Sequence, residues 1–165
     1  MTQDIFQYDF PEFTVGTAEY PKGPTGCTVF HFPNGALATS DVRGGAAAVR
    51  ESTLLDPIAE SGMIDALVFA GGSTYGLDAA SGVMSWLLEK RGNSVRFMDI
   101  PSVPAAVVYD FSGRKNAIFP DQALGKKAVS EAKANRVLIG AAGAGRSVSV
   151  GKYLGRDYAE TSGQG

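Results

Sequence analysis

Lys152 is the residue whose surroundings in the sequence most clearly favour a chemical role. It ends the stretch 136–152, RVLIGAAGAGRSVSVGK, in which an apolar segment predicts a short buried strand and a glycine-rich run follows. Glycine lets the backbone come very close to another group, so this run would bring one cation to that place. A lysine beside a hydroxyl nucleophile can act as a base or lower the pKa of a nearby amine. The simpler interpretation is an ordinary exposed lysine, and the sequence leaves both open.

Tyr109 is the second candidate for a chemical role. It closes the apolar segment VVYDF (107–111), where its hydroxyl could be presented to a ligand at the end of a strand. A core tyrosine whose hydroxyl is bonded to a backbone group fits the same pattern equally well.

The spacing of the glycine-rich run disfavours nucleotide binding. A phosphate loop needs Gly, four residues, and then Gly-Lys followed by Ser or Thr. Arg146 stands where the first glycine belongs, and Tyr153 follows Lys152 in place of the hydroxyl residue. The dinucleotide pattern fails as well, because Val148 occupies the third glycine position. We therefore expect no cofactor.

Other nucleophiles and metal sites are also disfavoured. Cys27 and His31 lie four residues apart on one predicted strand, which separates them by ~13 Å, beyond hydrogen-bond reach. The pair of glycines that flanks a nucleophile elbow, two residues to either side, is not complete at Ser73. Since no cluster of His, Cys or carboxylate residues stands out, we expect no metal.

Composition sets the broad class of the protein. The chain has 165 residues, of which 44% are apolar and 19% charged, and this predicts a single globular domain spanning 1–165. The net charge of −2 gives no reason to expect a nucleic-acid partner. The single cysteine suits a reducing compartment, and no apolar stretch approaches the ~20 residues that span a bilayer. We therefore expect a soluble, cytoplasmic protein without a membrane partner.

The first part of the chain predicts an antiparallel meander. Residues 13–20 alternate in polarity and predict a strand, and 27–33 predict a second strand rich in β-branched and aromatic residues. Asn34-Gly35 is a strong hairpin signal leading into a third strand at 36–42.

The remaining sequence predicts strands interleaved with helices. Residues 66–70 form a continuous apolar run typical of a strand buried on both faces, and GGSTYG (71–76) follows at once. Further predicted elements are a short helix or loop at 46–55, a helix at 77–91, strands at 95–100 and 105–111, and a helix from Pro120 to 134–135. This order indicates an α/β or α+β layered domain.

The sequence as a whole resembles the self-cleaving N-terminal-nucleophile hydrolases. That family includes β-peptidyl aminopeptidases, L-aminopeptidase/D-esterase and nylon-oligomer (6-aminohexanoate oligomer) hydrolase, and the resemblance is closest to the nylon-oligomer branch. The stretches that carry it follow the family's order and cover nearly the whole chain: DFPEFTVGTAEYPKGPTGCTVFHFPNG, SDVRGG, FAGGSTYGLDAASGV, PAAVVYDFSGR, IFPDQALGKKA, GAGRSVSVGK and TSGQG.

The resemblance implies a four-layer αββα sandwich, of which this chain would supply the N-terminal part of the large subunit. In the family, one precursor cleaves itself and exposes a Thr or Ser as the N-terminus of a small subunit. Its hydroxyl attacks an amide, its amine serves as base, and water clears the acyl-enzyme. Gly165 falls about half-way along the family's length, before the nucleophile and a supporting Asn, so the chain alone is expected to be inactive.

The resemblance also assigns residues. The supporting tyrosine and lysine of the nylon-oligomer branch fall on Tyr109 in VVYDF and Lys152 in SVGK. Gly71, Gly72 and Tyr75 are expected to shape a substrate-binding wall by close backbone approach.

The expected activity is hydrolysis of linear amides such as 6-aminohexanoate oligomers. The expected partners are the amide substrate, the nucleophile-bearing small subunit and, by family resemblance, further copies in a tetramer of processed protomers. Two alternatives stay open. One is a β-aminopeptidase, D-amino-acid aminopeptidase or esterase of the same family, and the other is a non-catalytic assembly or scaffold domain.

Overall fold

The computed structural model describes residues 3–59 and 62–165. Short 3₁₀ turns connect many of the strands and helices. The regular elements in the described residues are, in chain order, β1 (Gln3–Gln7), β2 (Thr14–Tyr20), β3 (Thr25–Leu37), β4 (Val49–Arg50), β5 (Met63–Ala70), α1 (Asp78–Lys90), β6 (Ala105–Val107), α2 (Gln122–Ser130), β7 (Lys133–Ala134), β8 (Arg136–Gly140), β9 (Ser149–Val150) and β10 (Glu160–Thr161).

The largest sheet has six strands in the order β4-β6-β5-β3-β2-β7. β5 and β6 run parallel, whereas the other neighbours in this sheet are antiparallel. β1 and β8 form a separate antiparallel pair, and β9 and β10 form another. This mixed sheet with few helices is an α+β fold, which confirms the layered class predicted from the sequence.

Both helices cover one face of the six-stranded sheet, and the core lies between the helices and that face. Strand alternation places every second residue of β3 and β5 on this face. The side chains there are small or medium-sized and apolar, and they include Ala18, Cys27, Val29, Ala66, Val68, Ala70, Ala79, Ala80, Val83, Leu87, Leu124, Ala128 and Val129.

Glycines let α1 and α2 pack directly against each other. A Cβ atom added at Gly82 would lie 1.9 Å from the carbonyl oxygen of Gln122, and one at Gly125 would lie 2.0 Å from that of Ala79. Neither position has room for a side chain. α1 and α2 therefore lie in direct backbone contact.

The prediction of a hairpin at Asn34-Gly35 is wrong. β3 continues through both residues, and its register against β5 shifts between His31 and Ala36. Gly35 has a φ of +72°, so this glycine makes an irregularity within one strand, where a turn between two strands was expected. The third predicted strand, 36–42, is reduced to the end of β3.

The two strands predicted ahead of α2 also differ from expectation. Residues 95–100, all within the described part of the chain, form no strand and contain a 3₁₀ turn at Phe97–Asp99. Their apolar side chains are exposed, with Phe97 at 86%, because no neighbouring strand pairs with this segment in the described structure. The strand predicted at 105–111 is confined to β6.

The remaining element boundaries shift modestly. The helix predicted from Pro120 begins after Asp121, whose carboxylate accepts the backbone N–H of Leu124 at 2.9 Å as an N-cap. It ends at Ser130, short of 134–135. The helix or loop predicted at 46–55 contains β4 and a 3₁₀ turn at Ser52–Leu55.

The second face of the six-stranded sheet is only partly covered by the described residues. The sequence predicts that 66–70 is buried on both faces, yet β5 alternates, and Phe69 on its second face is 39% exposed. Phe69, Phe30 and Thr28 line an apolar cavity of about 580 Å³ that Val137–Ile139 of β8 bounds as well. We call this the apolar face.

Among the described residues, no helix has the length and apolar character needed to cross a membrane.

Candidate active site

The Gly71-Gly72 turn ends β5 and forms one wall of the candidate site. A Cβ atom at Gly71 would lie 2.2 Å from Oδ2 of Asp110 and 2.4 Å from Oγ1 of Thr25. Gly72 has a φ of +79°, and its N–H donates to Oδ1 of Asp110 at 2.8 Å. The glycines therefore let a buried carboxylate of the chain itself reach the backbone directly.

Asp110 is the centre of this contact and was missed by the sequence reasoning. Its residue is 2% exposed, and its carboxylate accepts from Thr25 Oγ1 at 2.6 Å and from Arg114 Nη2 at 2.6 Å, besides Gly72. The Arg114 side chain is 3% exposed. The available signal was an Asp directly after Tyr109 with an Arg four residues later, but those two residues alone do not distinguish a buried ion pair from an exposed one.

Aromatic rings form an adjoining surface around Phe111. Tyr109 and Tyr75 each pack edge-on against Phe111, with ring centroids 5.8 Å and 6.5 Å away, and Tyr75 also lies 5.5 Å from Phe119. The guanidinium of Arg114 lies over the Phe111 ring, 4.1 Å from its centroid. Tyr109 and Tyr75 are 54% and 64% exposed, so both remain accessible to a ligand. We call these four rings the aromatic surface.

Lys152 lies in a neighbouring cleft. It begins a 3₁₀ turn one residue after the end of β9, and it is half-buried. The cleft has a volume of about 310 Å³, and we call it the Lys152 cleft. Besides Lys152, its lining residues are Pro24, Asp110, Ser112, Gly113, Arg114, Arg146, Ser147, Ser149, Arg156, Ala159 and Thr161.

The cations of the Lys152 cleft differ in their partners. Arg114 is paired with Asp110, and Arg146 places Nε 3.5 Å from Oε2 of Glu19. The side chain of Lys152 makes no hydrogen bond or ion pair with the described residues. It is thus a half-buried cation whose charge those residues do not compensate.

The structure therefore groups the predicted site residues in two adjoining places. The first place is the glycine wall, formed by Gly71 and Gly72, with the aromatic surface that includes Tyr75 and Tyr109. The second is the Lys152 cleft. Asp110 and Arg114 join the two places. They line the Lys152 cleft and also contact the Gly72 amide and the Phe111 ring, respectively.

The glycines that precede Lys152 contact the chain itself. A Cβ atom at Gly143 would lie 2.1 Å from Oγ1 of Thr28, and one at Gly145 would lie 2.2 Å from the backbone nitrogen of Gln164. Thr28 and Gln164 are in turn joined by a hydrogen bond of 2.7 Å. The close approach predicted for this run is thus an approach to β3 and to residue 164, and it anchors the segment that leads to Lys152.

Cys27 and His31 play structural parts. Cys27 is fully buried, and burial raises the pKa of its thiol to about 12, so it is no thiolate at neutral pH. His31 packs edge-on against Trp86 at 5.3 Å, and its Nδ1 lies 3.3 Å from Oγ1 of Thr14. Neither residue lines the Lys152 cleft. Within the described residues, no group of three or more His, Cys, Asp or Glu side chains is arranged to hold a metal ion.

A family model described as peptidase family S58 matches residues 8–155 of the chain.

Two curated relatives illustrate the match. A 6-aminohexanoate-oligomer endohydrolase of Paenarthrobacter ureafaciens is 41% identical over 166 residues, covering 99% of this chain and 43% of that protein. An uncharacterized aminopeptidase of Mycobacterium tuberculosis is 40% identical over 131 residues, covering 79% of this chain and 38% of that protein. The chain thus spans less than half the length of these relatives.

Among solved structures, a Burkholderia sp. β-aminopeptidase matches with a TM-score of 0.63 and 18% sequence identity. The match covers 87% of this chain and 42% of the other. At this identity the likeness shows a shared fold.

Proposed function

The chain belongs to peptidase family S58, and on that basis we propose that it is the N-terminal part of the large subunit of an amide hydrolase with an N-terminal nucleophile. The precursor cleaves itself, and the Thr or Ser so exposed on a small subunit faces the Lys152 cleft. The substrates are linear amides such as 6-aminohexanoate oligomers. This choice is supported by the 41% identity to the endohydrolase of that name over 99% of the chain.

The observation that carries the proposal is the half-buried Lys152 ammonium, which has no partner in the described structure and lines a cleft that shares Asp110 and Arg114 with the Tyr109 loop. An ordinary exposed lysine would not need such a setting. The uncompensated charge of its side chain is therefore available to a group brought by another segment.

Lys152 and Tyr109 have different roles in this reaction. The charge of Lys152 lowers the pKa of the nucleophile's amine, which keeps that amine neutral and able to take the hydroxyl proton. Attack forms a tetrahedral intermediate, and the exposed Tyr109 hydroxyl donates a hydrogen bond to its oxyanion. The protonated α-amine then gives this proton to the leaving amine, and its expulsion leaves an acyl-enzyme that water hydrolyses. The aromatic surface around Phe111 contacts the methylene chain of the substrate.

The apolar face supports the proposed partner. Phe30 and Phe69 border an apolar cavity of about 580 Å³, and apolar surface of this extent favours burial against another layer. We infer that strands of the small subunit, with β1 and β8, form the second sheet of a four-layer αββα sandwich here. The precursor's single domain then includes residues 1–165.

The test uses the complete gene product with Lys152→Ala or Tyr109→Phe. We expect slower self-cleavage for Lys152→Ala, and a loss of oligomer hydrolysis on the order of 10²–10³-fold for Tyr109→Phe, as for other oxyanion donors. Lys115→Ala and Tyr153→Phe are matched controls on exposed neighbours. Gel analysis follows cleavage, and amine release follows hydrolysis. Parental rates in both site variants would refute these roles.

A second candidate is a β-aminopeptidase, D-amino-acid aminopeptidase or esterase of the same family. The 40% identity to the aminopeptidase from M. tuberculosis favours it. A panel of β-amino-acid amides, D-amino-acid amides, esters and 6-aminohexanoate oligomers separates the two candidates, because kcat/KM ranks the substrates directly.

The third hypothesis, a non-catalytic assembly or scaffold domain, leads to a different expectation. It expects no hydrolysis by the complete gene product and no chain beginning with Thr or Ser. Intact mass and N-terminal sequencing of every chain in the preparation distinguish it from both enzymes.

A further inference from the structure

Asp110 joins three segments of the chain at one buried carboxylate. Its donors are Thr25 at the start of β3, Gly72 after β5 and Arg114, at 2.6, 2.8 and 2.6 Å, and Asp110 itself follows Tyr109. Taking a carboxylate out of water is costly unless charge and hydrogen bonds compensate it. These contacts supply that compensation, so the carboxylate holds the Gly72 wall and the Tyr109 loop in one geometry.

Arg114 extends the same junction to the aromatic surface. Its Nε donates to the backbone carbonyl of Asp110 at 3.3 Å, its Nη1 donates to Oδ1 of Asn116 at 3.1 Å and to the carbonyl of Ile118, and its guanidinium covers the Phe111 ring. Phe111 in turn contacts Tyr109. The ring packing around Tyr109 therefore depends on a guanidinium that Asp110 keeps in place.

We propose that Asp110 is a positioning residue, which acts through Gly72 and Arg114 to fix Tyr109 relative to the Lys152 cleft. This inference rests on the proposed function. It assigns to Asp110 no contact with the substrate, since its residue is 2% exposed. Misplacing an oxyanion donor weakens transition-state stabilisation more than substrate binding, so loss of this junction lowers kcat and leaves KM nearly unchanged.

Asp110→Asn is the informative variant. An amide keeps the side-chain size but has one acceptor oxygen in place of two, and its NH₂ group faces donors. In the complete, processed gene product we expect kcat per processed molecule to fall about tenfold or more, with KM changed less than about threefold. The processed fraction is measured from the small subunit on a gel, which separates a catalytic loss from poor maturation.

Two further variants keep the test decisive. Thr25→Val removes one donor while leaving the charge pair, so it folds more readily and should lower kcat several-fold, less than Asp110→Asn. Asp65→Asn is the matched control. Asp65 also accepts from an arginine, Arg91, and from a backbone N–H, that of Ser102 at 2.9 Å, but it lies six residues before Gly71 on β5. Asp65→Asn should lower the melting temperature without changing kcat.

The outcomes separate this inference from the proposed function. Reduced kcat with near-constant KM in Asp110→Asn, or in Thr25→Val if the former does not fold, supports positioning. Parental kcat in both variants, or a change in KM alone, overturns it. An unmodified parent protein that neither matures nor hydrolyses amides would contradict the proposed function itself.

Discussion

The candidate site contains a buried ion pair, Asp110 and Arg114, and a half-buried lysine whose side chain has no partner in the described residues, beside the peripheral Arg146 and Arg156. The Asp110 and Arg114 side chains are 1% and 3% exposed, and removing one partner of such a buried pair typically costs ~3–5 kcal/mol. This cost makes the pair suited to holding geometry. The half-buried side chain of Lys152 has no partner in the described residues, so its charge remains available to a group from outside them.

His31 gives a residue-scale prediction about pH. Burial lowers the pKa of His31 below its ordinary 6.5; Asp65 acts in the opposite direction and Arg91 in the same one. The unfolded chain therefore binds a proton at His31 at a higher pH than the folded chain does. The contribution of His31 to stability is present above about pH 6.5 and decreases as the pH falls below that value. Thermal melting between pH 7.5 and 5.5 measures the decrease.

The comparison that isolates this effect is with His31→Asn, whose amide can still bond to Oγ1 of Thr14. Other groups also titrate in this range, so the difference between the two proteins is the relevant quantity. The parent should lose more melting temperature than the variant on acidification. Equal losses in both proteins would contradict the assignment.

At the scale of elements, the backbone contact between α1 and α2 sets the spacing of the helix layer. Gly82→Ala would place a Cβ atom 1.9 Å from the carbonyl oxygen of Gln122. Alanine raises helix propensity by ~1 kcal/mol over glycine, whereas overpacking a close contact typically costs ~1–3 kcal/mol. A 1.9 Å approach to backbone lies at the severe end, so we expect a net loss of stability by denaturant unfolding. Gly45→Ala is the control: its added Cβ atom meets nothing within 4 Å, so it should change stability little. A Gly82→Ala protein more stable than the parent would contradict the expectation and show that the helices can separate without cost.

The elements that could be predicted are those whose pattern is local. Alternation in 13–20, the apolar run at 66–70 and the helical period at 77–91 identified β2, β5 and α1. The predictions of a hairpin at Asn34-Gly35 and of a strand at 95–100 were wrong. The first depends on how β3 pairs with β5, and the second on whether a strand is available for pairing. Both are tertiary features that a local stretch of sequence does not contain.

The same limit applies to the candidate site. The glycine wall and Tyr109 were proposed as site residues because each lies next to an apolar run or carries a family motif. Asp110 was not, because its role depends on donors at Thr25, Gly72 and Arg114, up to 85 residues away in sequence. A carboxylate becomes a junction only when the fold brings such donors together.

At the scale of the whole molecule, the two faces of the main sheet differ. One face is closed by α1 and α2, with Val29 and Val68 fully buried, while the apolar face leaves Phe69 39% exposed. The apolar run at 66–70 is nevertheless typical of a strand covered on both sides. Under the proposed function, the small subunit packs on this exposed apolar surface.

Phe69→Ser tests this packing in the complete gene product. Burying a large apolar side chain contributes ~1.5–3 kcal/mol, so a serine at the centre of the apolar face should weaken retention of the small subunit. We expect more dissociated small subunit on size-exclusion chromatography in mild denaturant than for the parent. Phe97→Ser is the matched control, because Phe97 is 86% exposed on the 95–100 segment and does not line the cavity. Retention of the small subunit by Phe69→Ser to the same extent as by Phe97→Ser would mean that the small subunit docks elsewhere, and the four-layer arrangement would have to be abandoned.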